Sequence, residues 1–89
     1  MHKVTYTDSA RKDLKALEVE IARRIIKKVY FFSTQDNPLR FAEKLTDFRF
    51  GSYRFRIGDY RAIFDADHNG SLFVLTILRV RHRKDVYHE

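Results

Sequence analysis

The stretch Arg81-His82-Arg83-Lys84-Asp85-Val86-Tyr87 sets an imidazole, a phenol and two guanidiniums close together in the chain. Cutting an RNA phosphodiester without a metal calls for such groups. It needs a base for the 2′-hydroxyl, cations for the pentacoordinate phosphorane and an acid for the leaving 5′-oxygen. His82 and Tyr87 can move protons, and the arginines can hold charge. A second cationic run, Tyr53-Arg54-Phe55-Arg56-Ile57, alternates strictly. On a strand it places Arg54 and Arg56 on one face and the apolar side chains on the other. Arg79, Arg81 and Arg83 also share one parity, so five arginines converge if the two faces coincide. A guanidinium is a planar fork that grips phosphate oxygens in two places, which distinguishes it from the mobile point charge of lysine. Taken singly, each arginine can be ordinary polar cover for a sheet, His82 a surface histidine and Tyr87 a packing residue. Taken together they favour an anion site.

The elements that must carry these groups follow from periodicity. Residues 3–7 alternate and are β-branched, which predicts a first strand, with Asp8 as the N-cap of a helix carrying Ala10, Leu14 and Leu17. A second helix opens near Glu18 and Glu20. It runs Ile21, Ala22, Ile25, Ile26, Val29, Tyr30 and Phe32 along one broad face, with Arg23, Arg24, Lys27 and Lys28 on the other as solvated surface. Thr34 to Asn37 break the pattern, and Pro38 to Leu45 suit one short helix. From Phe48 the period changes to two. Strands are expected over Ser52–Ile57, Tyr60–Asp65 and Leu72–Leu78, with turns at Gly58-Asp59 and Asp67–Gly70. The last strand is apolar on both parities, as a strand covered on both faces would be. The expected fold is α+β: an antiparallel sheet of about four strands with an N-terminal helical hairpin packed on one face, in a single domain over residues 1–89.

Composition narrows the function classes. The chain has 18 Lys and Arg against 12 Asp and Glu, a net charge of +6, which points to a polyanionic partner. Its second half is the informative one, because seven of the eight bases after residue 47 are arginine. With no cysteine, neither disulfides nor thiolate-bound metal can brace the fold. There is no HExxH pair and no glycine-rich phosphate loop, so neither metal nor cofactor is expected. No apolar run approaches the roughly 18 residues of a membrane span, and no signal-peptide core opens the sequence. The expected location is the cytoplasm, with no membrane contact.

Three runs then resemble a known group. Lys44-Leu45, the stretch Gly51-Ser52-Tyr53-Arg54-Phe55-Arg56-Ile57-Gly58-Asp59-Tyr60-Arg61-Ala62-Ile63-Phe64 and the closing Val80 to Tyr87 look like the RelE/ParE superfamily of bacterial and archaeal toxins. The resemblance spans nearly the whole chain. It implies a RelE-like fold and a cognate antitoxin bound in a toxin–antitoxin hetero-oligomer. RelE-type members enter the ribosomal A site and cut mRNA by 2′-hydroxyl attack, whereas ParE-type members poison DNA gyrase. The closing Val86-Tyr87 and the paired Arg54 and Arg56 look more like the RelE branch, which implies a ribosome-dependent endoribonuclease contacting ribosome and mRNA. By position, Arg54 and Arg56 fall where RelE-type toxins commonly have lysines, and Arg61 falls on the arginine facing the scissile phosphate. Arg83 or Arg81 matches the arginine near the leaving group, with Arg83 favoured, and Tyr87 matches the phenol at the nucleophile. Because arginine is effectively never deprotonated, Arg54 cannot replace a lysine base, and His82 takes that role in this reading. The chain's close two residues after Tyr87 implies that an antitoxin covers the basic face directly. A gyrase inhibitor, or a non-catalytic nucleic-acid-binding partner in autorepression, stays open.

Overall fold

The computed structural model describes residues 1–46 and 51–86. Tyr87 and the expected start of the β region at residues 48–50 lie outside the described residues. Strand β1 (Lys3–Tyr6) leads into helices α1 (Asp8–Lys15) and α2 (Val19–Ser33), then a 3₁₀ turn over Pro38–Phe41. Strands β2 (Ala42–Lys44), β3 (Tyr53–Ile57), β4 (Tyr60–Asn69) and β5 (Leu72–His82) follow, and the short helix α3 (Arg83–Val86) closes the described chain. The sheet order is β1-β5-β4-β3-β2, with β1 parallel to β5 and every other pair antiparallel.

The α+β architecture is as expected, but with five strands in place of about four. The extra strand is β2, in a segment that reads as one short helix. Pro38 starts only a single 3₁₀ turn, capped by the Asn37 side chain accepting from the Leu39 amide at 3.1 Å. Ala42 to Lys44 then pair with Phe55 to Tyr53, because the edge of β3 would otherwise leave backbone groups without partners. Three boundaries also move, one being the end of β5, which runs to His82, four residues past the expected Leu78. The N-cap of α1 is Thr7, whose hydroxyl accepts from the Ala10 amide, and Asp8 is the first helical residue. Strand β4 runs on to Asn69, so the second hairpin turns at Gly70-Ser71. In both hairpins the glycine takes the first central position with positive φ, Gly58 at 60° and Gly70 at 65°, as a type II′ turn demands.

The core lies between one sheet face and the helices. Ile25, Val29 and Phe32 of α2 and Ala10 and Leu14 of α1 pack on Phe55, Ile57, Ala62, Phe64, Leu75, Ile77 and Val80. An aromatic stack runs through it, with Phe55 ring centroids 4.5 Å from Phe32 and 4.3 Å from Phe64. The apolar face of α2 is wider than what the sheet covers, for Ile26 and Tyr30 are 44% and 57% exposed. Strand β5 is interior but not central, since β4 holds the middle of the sheet, and its Val74, Thr76 and Leu78 side chains are only half-buried. No described helix is long and apolar enough to cross a membrane.

Ahead of β3, Gly51 is buried with φ of 135°. A Cβ there would lie 2.6 Å from Ile63 Cγ2 and 3.2 Å from Leu78 Cδ1. Gly51→Ala is expected to cost about 2–4 kcal/mol from strain and overpacking together, read as a lower urea midpoint at unchanged slope.

Candidate anion-binding site

Cross-strand partners share a sheet face, so the register decides which arginines meet. Arg56 lies opposite Arg61, and Arg61 opposite Arg81. One step along, Arg54 lies opposite Ile63, and Ile63 opposite Arg79. The face away from the helices therefore carries a row of three arginines across β3, β4 and β5, with Arg54 beside it. Three guanidiniums on adjacent strands concentrate positive charge on that face.

The members of the row differ in access. Arg56 is the most open, with 64% of its side chain exposed, while Arg81 is half-buried. Arg61 is 3% exposed and donates from Nη1 to the carbonyls of Gly58 at 2.9 Å and Tyr60 at 2.8 Å, bracing the β3–β4 turn. Arg54 is mostly buried. Glu43, in β2, faces both strand arginines, 3.6 Å from Arg54 and 3.5 Å from Arg56. It tethers these long side chains without matching their charge. Nothing in the sequence pattern marked Glu43, because its segment reads as helix.

The five-arginine convergence is smaller than the alternation predicts. Arg79 turns to α1, where it grips Asp13 at 2.8 and 3.1 Å. Arg83 has left the strand for α3, with its side chain 3.6 Å from Asp59 and its amide donating to the Asp59 carbonyl at 2.7 Å. His82 is not on the arginine face. It lies opposite Tyr60, which lies opposite the core residue Ile57, and its ring meets that of Tyr60 edge-on at 5.3 Å. Its Nδ1 accepts from the Lys84 amide at 3.2 Å, which favours hydrogen on Nε2 and suits a donor better than a base. Buried His2 is structural: Nδ1 accepts from the Phe73 amide at 2.9 Å and Nε2 lies 3.0 Å from the Asp36 carbonyl. Among the described residues no three His, Asp or Glu side chains come together as metal ligands.

Asp13 is the acid that sequence reasoning missed. Burial pushes its carboxyl up, but the Arg79 hydrogen bond, the Val80 amide and the charges of Arg79 and Arg81 outweigh that and hold it below the ordinary 3.8. A lowered folded pKa contributes stability above the unfolded value and loses it as pH falls through the folded one. The stability difference between wild type and Asp13→Ala is therefore expected to be constant near neutral pH and to shrink below about pH 4, measured by urea unfolding across pH. At neutral pH it should be about 1.5–3 kcal/mol, the range for hydrogen bonds to a charged group.

A sheet with one face on a helical hairpin and the other carrying arginines defines a small α+β protein with a basic sheet face. Comparison with known proteins makes that class particular. The family model described as the ParE toxin of the type II toxin–antitoxin system parDE matches residues 4–87. The toxin–antitoxin complex RelBE2 of Mycobacterium tuberculosis contains a chain 29% identical, with TM-score 0.77 over 92% of this chain and 98% of that one. The RelB-RelE antitoxin–toxin complex of Methanococcus jannaschii (24% identity, TM-score 0.58, 94% and 95% covered) has the same fold. So does the YoeB/ParE toxin of Agrobacterium tumefaciens (18%, 0.62, 90% and 97%). No curated protein matches. The chain belongs to the ParE toxin family of type II toxin–antitoxin systems, within the RelE/ParE superfamily, and its fold is RelE-like.

Proposed function

We propose that this toxin is a ribosome-dependent endoribonuclease, which cuts mRNA in the cytoplasm by metal-independent 2′-hydroxyl attack and is silenced by a cognate antitoxin in a hetero-oligomer. The observation that carries the reading is the row Arg56, Arg61 and Arg81 on the sheet face away from the helices. In the reaction the 2′-oxygen attacks phosphorus and the bond to the 5′-oxygen breaks, leaving a 2′,3′-cyclic phosphate and a 5′-hydroxyl. Negative charge grows on the non-bridging oxygens, where fixed guanidiniums stabilise the transition state more than the ground state. Arg56 and Arg81 contact the phosphate, Arg54 extends the surface towards the flanking backbone, and Arg61 holds the turn that aims them. Tyr87 serves the nucleophile. His82, with hydrogen on Nε2, and Arg83 hydrogen-bond the leaving 5′-oxygen, which takes its proton from water, while the proton of the 2′-hydroxyl held by Tyr87 passes to water. A cognate antitoxin binds this chain as one does in the RelBE2 and RelB-RelE complexes, and the charge of the arginine face calls for an acidic segment in it.

A second reading, inhibition of DNA gyrase, is favoured by the match to the ParE toxin model. One experiment separates the two. After induction without antitoxin, transcript 5′ ends and toeprints on programmed ribosomes should show cuts within codons at the A site. Intact mRNA with trapped gyrase–DNA complexes would overturn the ribonuclease reading and establish the gyrase one.

A further inference from the structure

Strand β5 sends Leu75, Ile77 and Val80 into the core, a spacing of two followed by three. Across the pairing, Phe64 faces Ile77 while its neighbour Ile63 faces Arg79, so Leu78 is one residue extra on β5. This is a β-bulge, and it reverses the parity of everything after it. Arg79 and Arg81 have the same parity as Leu75 and Ile77. A regular strand would drive Arg81 into the layer of Phe55 and Phe64. With the bulge, Arg81 comes to lie opposite Arg61 and completes the arginine row.

The bulge falls where β1 ends, since Tyr6 is the last residue paired with β5, and α1 with its N-cap takes over the outer edge of β5 from there. The Thr7 amide donates to the Ile77 carbonyl at 3.0 Å, and the Thr7 hydroxyl donates to the Leu78 carbonyl at 2.9 Å. On the far side of the bulge, Asp13 Oδ2 accepts from the Val80 amide at 2.9 Å. The same carboxylate is clamped by Arg79 through Nε and Nη2. Asp13 is thus fixed from two directions at the point where the strand changes parity.

We infer that Asp13 is a positioning residue for the anion site: by holding the Val80 amide it pins the bulge that turns Arg81 onto the arginine face. The inference rests on that face being the anion site. It does not require Asp13 to touch RNA, and a carboxylate near phosphate would only repel it. Removing Asp13 also takes away a repelling charge and releases Arg79, both of which favour an anion, so a fall in affinity reports the lost placement of Arg81.

The test uses the full chain and a short fluorescent single-stranded RNA, with affinity measured by anisotropy over a salt series and Val80 amide exchange measured by NMR. Arg81→Ala should weaken binding about tenfold and reduce the slope of log affinity against log salt by about 0.7, one phosphate contact on a single strand. Asp13→Ala should do much the same and speed Val80 exchange at least about tenfold, as a freed amide does. The double variant should bind no more weakly than Arg81→Ala alone, because both act through one contact. Additive losses, or wild-type affinity and slope in folded Asp13→Ala, overturn the inference. If Asp13→Ala does not fold, Asp13→Asn replaces it, and faster Val80 exchange with wild-type RNA affinity is the overturning result. Unchanged affinity and slope in Arg81→Ala would instead refute the anion-site reading, while Val80 exchange still reports whether Asp13 pins the bulge.

Discussion

Replacing Arg56 and Arg81 together by alanine is expected to abolish growth arrest while leaving the protein folded. The two side chains flank buried Arg61 from opposite strands, and on the proposed reading they supply the fixed positive charge that meets the phosphorane. Loss of one preorganised charge-stabilising donor typically costs about 10²–10³ in rate. Losing both should lower cleavage on programmed ribosomes by at least about 10³, short of the about 10⁴–10⁶ that additive losses would give, because groups that act as a unit are not additive. Stability should change little, since the repulsion relieved in the row is offset by the loss of the exposed Arg56–Glu43 pair. The measurement is single-turnover cleavage in toeprinting reactions alongside thermal unfolding. Retained cleavage in a folded double variant would place the chemistry elsewhere. The corresponding change in Arg61 is less informative, because its guanidinium also braces the β3–β4 turn and its loss mixes folding with function.

The largest effect on stability is expected from Phe55→Ala. Phe55 is fully buried on the helix side of β3, stacked on Phe64 and packed against Phe32, so it joins the sheet to α2. Truncating a buried phenylalanine costs about 3–5 kcal/mol through lost transfer energy and the cavity left behind. A chain of this length has about 5–13 kcal/mol in total, so the variant should sit near its folding threshold. Urea unfolding should show a midpoint lowered by roughly half with a cooperative transition. Toxicity should fall with abundance and recover at lower temperature. A loss below about 1 kcal/mol would mean that neighbouring aromatic rings close the gap.

These two variants separate what is local from what is not. The alternation of Tyr53 to Ile57 is enough to place Arg54 and Arg56 on one face and Phe55 in the core, because a strand's side chains alternate whatever surrounds it. The helical hairpin, the Gly58-Asp59 turn and the hairpins of β3, β4 and β5 are legible for the same reason: period, cap and turn chemistry act over a few residues. Family motifs add the superfamily. Several features escaped that reading, Asp13 and the β5 bulge among them. Strand β2 is three residues long and forms because β3 offers an open edge, not because Ala42-Glu43-Lys44 prefers it, so Glu43 could not be seen as the acid bridging Arg54 and Arg56. His82 follows Arg81 directly, and although the two point to opposite faces of the strand both line one cleft with Asp13, Tyr60 and Arg79, a grouping that alternation alone does not announce.

By itself the sequence determined an α+β fold with a basic, arginine-rich sheet and a RelE/ParE-superfamily motif set, since composition, short-range periodicity and motif order are properties of the chain alone. Which arginines stand together was decided only by tertiary structure. Arg81 has the parity of the core residues Leu75 and Ile77, and it faces Arg61 because one extra residue, Leu78, is accommodated in β5 and held by Thr7 and Asp13. Those contacts span 71 and 67 positions, so no local pattern can announce them. The physical reason is that a bulge inverts every later side chain, and here the outer edge of the strand beside it is held by partners remote in sequence.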